Sequence, residues 1–272
     1  MNGVSLWGLL GEVIIGRRME NLTKVLRGYG INGYVQASSV QFNGVVYPVR
    51  SISKGLARFC RPLFHTAQGR AEDISTKGSA TFVSINGERF FALITKHQYN
   101  LLLPEEVSFP GNGDRSIACG GNFYIPDKSE SYGDELCYLD LGEHVKQATL
   151  SPRDFLPLSR RNFCLDGDNV GHGVSYGFAF GDLEFEYDET GFDDYRMLGM
   201  HMKLREYNVK YYGESTHSSL CKWIRGGDSF SDIVGFSGGP TFAIINTDDG
   251  FLAKFAGINM TSNGKVLHTV KA

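Results

Sequence analysis

The stretch Gly235-Phe236-Ser237-Gly238-Gly239-Pro240 surrounds a single hydroxyl with residues able to turn sharply. Glycine reaches backbone angles closed to other residues, so the chain can fold tightly about Ser237 and leave its hydroxyl exposed. The same turn aims the N–H groups of Gly235 and Ser237 at one point. Two such donors form an oxyanion hole, stabilising an oxygen that gains negative charge. The apolar run TFAII follows at once and would anchor the loop on a strand. A plain Gly/Ser/Pro turn between strands is the competing reading. The pattern Gly-x-Ser-Gly-Gly-Pro, with a strand and not a helix after it, points instead to a serine nucleophile.

A serine hydroxyl attacks only when a neighbouring base takes its proton and an acid orients that base. His97 ends the run Phe90-Phe91-Ala92-Leu93-Ile94-Thr95-Lys96, so it stands just beyond an apolar strand. The other histidines, at positions 65, 144, 172, 201, 217 and 268, lack that context. The acid is sought in Asp134-Glu135-Leu136-Cys137-Tyr138-Leu139-Asp140-Leu141. Strand side chains alternate between faces. Glu135 shares its face with Cys137, Leu139 and Leu141. Asp134 shares its face with Leu136, Tyr138 and Asp140, which would bury a second charge. Alternation therefore favours Glu135, and Asp134 is the alternative if a bulge precedes the strand.

These segments resemble those of the chymotrypsin-like (trypsin-like) serine peptidases. The Ser237 loop is similar to that family's active-site serine segment. The His97 segment matches in part, with Ile94-Thr95-Lys96 where the family has Thr-Ala-Ala. The acid segment resembles its Asp-apolar-Ala-apolar-Leu-x-Leu strand, and the order His, acid, Ser is the family's. The resemblance implies an all-β fold of two antiparallel six-stranded β-barrels with the site in the cleft between them. His97 and the acid would come from the first barrel and Ser237 from the second. It implies a serine endopeptidase working through an acyl-enzyme on protein or peptide substrates, with no metal and no cofactor. The nearest types are the intracellular bacterial and viral members, because the cysteines flanking the histidine and serine of secreted members are absent. Phe236 stands where secreted members place an aspartate, so activation by a freed N-terminus is not expected. The primary substrate pocket would draw on Ser231 and Asp232. Ser231 matches the position of trypsin's floor aspartate, and Asp232 next to it could turn inward and select basic residues. Two other readings share the fold. One is a catalytically inactive barrel that binds proteins, and the other is a polyprotein-processing enzyme of an RNA virus.

The remaining sequence must position these groups. The chain has 272 residues, 42% hydrophobic and 21% charged, an ordinary globular composition. Its net charge of −3 provides no basic field for nucleic acid or anionic lipid. The five cysteines are scattered with no Cys-x-x-Cys pair, which argues against a structural zinc, and the odd count argues against a disulfide framework. Near the N-terminus Glu12 interrupts the apolar run and no early positive charge occurs, so neither a signal peptide nor a membrane span is expected, and the expected location is cytoplasmic. Leu10, Val13 and Ile14, then Leu22, Val25 and Leu26, follow helical spacing, so residues 1–38 read as a helical extension. Residues 39–150 read as the first barrel, 151–165 as a linker and 166–272 as the second barrel. Asn86-Gly87 and Asp249-Gly250 read as hairpin turns. Nothing in the sequence points to an oligomeric state.

Overall fold

Short runs of β-branched and aromatic residues, broken by Gly and Asn, give the chain many strands and few helices. The computed structural model describes residues 39–66, 74–99, 103–112, 116–118, 123–124, 136–164, 168, 170–188, 196–214, 220–225, 233–248 and 250–271. The expected extension over residues 1–38 lies outside these. In chain order the strands begin with β1 (Ser39–Phe42), β2 (Val45–Pro48), β3 (Cys60–Thr66), β4 (Ile74–Ile85), β5 (Arg89–Thr95), β6 (Val107–Pro110), β7 (Ser116–Ala118) and β8 (Phe123–Tyr124). They continue with β9 (Leu136–Asp140), β10 (Leu156–Leu158), β11 (Val170–Asp188), β12 (Arg196–Glu214), β13 (Leu220–Ile224), β14 (Pro240–Thr247), β15 (Gly250–Ser262) and β16 (Val266–Lys271). The Asn86 turn joins β4 to β5 with Asn86 at φ 54°, the left-handed conformation that an Asn-Gly hairpin uses.

The fold is all-β, as expected, and comprises two sheets. In the second, β14-β11-β12-β13-β16-β15 run side by side and β14 also pairs with β15, so six strands close on themselves as a barrel. The first sheet follows the path β7-β6-β3-β4-β5-β9-β8, with β10 beside β4. Among the described strands, pairing is antiparallel except for β10 on β4 and β1 on β15. Those two exceptions bear on how the chain divides. β1, grouped in sequence with the first half, hydrogen-bonds to β15, and β2 hydrogen-bonds to β1, so the pair extends the second sheet. Residues 151–164 carry β10 on the first sheet and then bond Cys164 N–H to the Phe255 carbonyl on the second.

Three apolar cores follow from strand alternation. In β5, Phe90, Ala92 and Ile94 fill the first sheet beside Phe82, Phe109, Leu139 and Phe155. Phe91 and Leu93, on the opposite face, join Phe42, Phe59, Tyr176, Phe242 and Phe255 in a core shared by both sheets. The helix Val49–Ala57 contributes Val49, Ile52 and Leu56 to this shared core. Trp223, Tyr207, Phe236 and Leu267 fill the second barrel. The shared core holds the two sheets face to face, and the serine loop lies at that junction.

Candidate functional site

β4 positions the site from the first sheet. Ala80 and Phe82 turn into the first core, so Ser79 and Thr81 face the second half and are fully buried. Both hydroxyls reach the serine loop. Ser79 Oγ donates to the Gly235 carbonyl at 2.7 Å and accepts from the Phe178 N–H at 2.8 Å. Thr81 Oγ1 donates to the Gly238 carbonyl at 2.7 Å. The Ser79 N–H donates to the Ser237 carbonyl at 3.0 Å.

The second barrel holds the other side of the loop. The Phe180 N–H donates to the Val234 carbonyl at 2.9 Å, Phe236 N–H to Ile233 at 3.0 Å, and Gly239 N–H to Phe236 at 3.0 Å. Asn259 on β15 accepts from Gly238 N–H and donates its own N–H to the Gly239 carbonyl, both at 2.8 Å. Its buried side chain donates to the Tyr176 carbonyl and accepts from the Ser175 and Thr241 hydroxyls. Every carbonyl from Val234 to Gly239 thus accepts a hydrogen bond, and every peptide plane between them is fixed. Among the described residues, the N–H groups of Gly235 and Ser237 donate none. They are the two donors that the sequence assigns to an oxyanion.

Phe236 sits in the core of the second barrel, 5.1 Å from the Tyr207 ring and 1% exposed. Ser237 is half-buried, and its Oγ donates to the Met260 carbonyl at 2.8 Å.

His97 is exposed on the helical turn Lys96–Tyr99 that follows β5. Its Nε2 lies 3.3 Å from Thr95 Oγ1. The neighbouring Gln98, 5% exposed, joins this turn to the Ser237 loop by donating to the Ser237 carbonyl at 2.9 Å. The structure thus brings the histidine turn and the serine loop together through a residue that sequence reasoning passed over. Ser79 and Thr81 were missed in the same way. Alternation marks Ser79 and Thr81 as a polar strand face, which in an isolated sheet would face water.

Asp134, Glu135, Ser231 and Asp232 lie outside the described residues. The strand that would carry the acid shows the expected alternation, with Cys137 and Leu139 buried and Leu136, Tyr138 and Asp140 half-buried. Asp140, however, is not a buried unpaired charge, because its Oδ1 accepts from the Gly142 N–H at 2.8 Å. The objection to placing Asp134 on that face is thereby removed, so both carboxylates stay open as the acid. Among the described residues no group of His, Cys, Asp and Glu is arranged to hold a metal ion, and no helix is long and apolar enough to cross a membrane.

No protein-family model matches the chain, and no curated protein does. Solved structures do resemble it. It is similar to the scabies mite inactivated protease paralogue S-I1, at 12% identity and TM-score 0.45, over 80% of this chain and 90% of that one. It is similar to the thermostable serine protease AL20 from an extremophilic microorganism, at 11% identity and TM-score 0.42, over 80% and 92%. The VesB protease of Vibrio cholerae matches at 12% identity and TM-score 0.44, over 79% and 60%.

Proposed function

We propose that the chain is a serine endopeptidase with Ser237 as nucleophile, His97 as general base and a carboxylate from Asp134 or Glu135 orienting the imidazole. The observation that carries this reading is the serine loop, whose carbonyls are all occupied while the Gly235 and Ser237 N–H groups donate to none of the described residues. Donors fixed in advance stabilise a developing oxyanion without reorganisation at the moment of reaction. Ser237 Oγ attacks the substrate carbonyl carbon and its proton passes to His97. The carbonyl oxygen takes up the negative charge at the two N–H groups. Collapse breaks the C–N bond, the leaving amine takes the proton from His97, and water then hydrolyses the acyl-enzyme by the reverse relay. For this the Ser237 hydroxyl must leave the Met260 carbonyl to which it now donates.

Phosphonylation by a fluorophosphonate tests the assignment, because only an activated serine reacts. The intact chain should gain one adduct on Ser237, lost in Ser237→Ala and strongly slowed in His97→Ala. A wild-type chain that stays unmodified while a control protease is labelled refutes it. The bond from Ser237 Oγ to Met260 favours a second reading, an inactive barrel that binds proteins, in which the hydroxyl stays with that carbonyl and no adduct forms.

A further inference from the structure

Gln98 makes five side-chain hydrogen bonds from a buried position one residue after His97. Its Oε1 accepts from the Thr95 N–H at 2.9 Å and from the Thr95 hydroxyl at 2.8 Å. A backbone N–H can only donate, so this fixes which end of the amide is oxygen. The NH2 end then faces three carbonyls, those of Lys77 and Ser79 at 3.0 Å and of Ser237 at 2.9 Å. A single amide therefore ties together the end of β5, the start of the Ser79 segment of β4 and the backbone of the nucleophile.

The surroundings are shaped to admit it. A Cβ on Gly78 would lie 2.6 Å from Gln98 Nε2, and one on Gly238 would lie 2.7 Å from Oε1. Both glycines have positive φ, 122° and 83°, so a side chain at either position is excluded twice, by strain and by collision. The same amide reaches the imidazole indirectly, since the Thr95 hydroxyl that donates to Gln98 also lies 3.3 Å from His97 Nε2.

We propose that Gln98 is a positioning residue that registers the histidine turn against the Ser237 loop, a role that rests on the peptidase reading above. It touches neither substrate nor reacting atoms. It acts by fixing the backbone on which base and nucleophile stand, where a misplacement of about 1 Å costs roughly 100-fold in rate.

The test compares wild type, Gln98→Met and Gln98→Glu as full chains, with folding followed by circular dichroism. The Met variant keeps the shape and loses all five hydrogen bonds. Its kcat and its fluorophosphonate labelling rate should fall about 100-fold, with KM within about twofold, because the substrate contacts are untouched. The Glu variant adds a pH signature. Its neutral form supplies one O–H to the carbonyls, and burial favours that form, whereas the ionised form sets a charge against three carbonyl oxygens. Its rate relative to wild type should therefore fall as pH rises, while the Met-to-wild-type ratio stays flat. A folded Met variant within about threefold of wild-type kcat overturns the proposal and leaves the peptidase reading intact. If the Met variant does not fold, the slope of the Glu ratio decides, and a flat ratio at wild-type level overturns it. A wild type that neither labels nor cleaves overturns both.

Discussion

Ser79 connects the first sheet to the second through one hydroxyl, which makes Ser79→Ala the sharpest probe of how the site is assembled. The substitution deletes the donor to the Gly235 carbonyl and the acceptor of the Phe178 N–H, at a position with 0% exposure. Losing a net hydrogen bond costs about 1 kcal/mol, and leaving a buried N–H without a partner adds about 1–3 kcal/mol. The expected loss is about 3 kcal/mol, which lowers the thermal midpoint by roughly 6–12 °C in a chain of this size. Urea unfolding followed by the fluorescence of Trp223, itself 1% exposed, measures it. Ser75→Ala on the exposed part of the same strand is the control and should stay within about 0.5 kcal/mol of wild type. The labelling rate at Ser237 should fall as well, because the Gly235–Phe236 peptide plane loses its anchor. A stability change under about 1 kcal/mol, with the labelling rate unchanged, would refute the idea that this hydroxyl pins the loop.

Three further outcomes are expected. Ser237→Ala should abolish turnover of a cleavable peptide yet unfold at nearly the wild-type urea concentration, since the hydroxyl makes a single bond, to Met260; normal turnover would exclude Ser237 as nucleophile. His144, His172 and His268 are each held below the usual imidazole value of 6.5, first of all by burial. The unfolded chain therefore takes up protons sooner, so these groups support folding above that value and withdraw the support as pH falls through their folded values. The urea midpoint should drop between pH 7.5 and 5.5, and His172→Gln should narrow the drop; an equal drop in both proteins would count against the burial of His172. Finally, burial pushes the Cys60 thiol far up and the Cys137 and Cys164 thiols up to about 12. Iodoacetamide at pH 8 should leave these three unmodified in the native chain and alkylate them in urea, as peptide mass mapping would show, because the thiolate is the reactive form.

The sequence carried the β-rich class, the Asn86-Gly87 hairpin and the serine loop, because each is written in residues close together. An Asn-Gly pair sets its own turn, and alternation within β5 and β9 assigns inward faces without reference to the rest of the chain. Cys137 and Leu139 are buried as that alternation requires. The same rule leaves the surroundings of Ser79 and Thr81 undecided, because a polar strand face carries no mark distinguishing water from a second sheet. The pairing of β1 with β15, which carries β2 along its outer edge, likewise joins segments far apart in the chain.

What only the tertiary structure decided is how the serine loop is held. Its carbonyls meet Ser79, Thr81 and Gln98 from residues 139 to 157 positions away in the chain. Gln98, a neutral amide beside a histidine, has no local signature of importance. It becomes the link between His97 and Ser237 when two sheets pack and leave three carbonyls facing one NH2 group. A sequence determines by itself those features whose energy comes from neighbours along the chain. Hydrogen bonds between distant segments exist only once burial has fixed the sheets against each other, and burial is also what makes each of those bonds costly to lose.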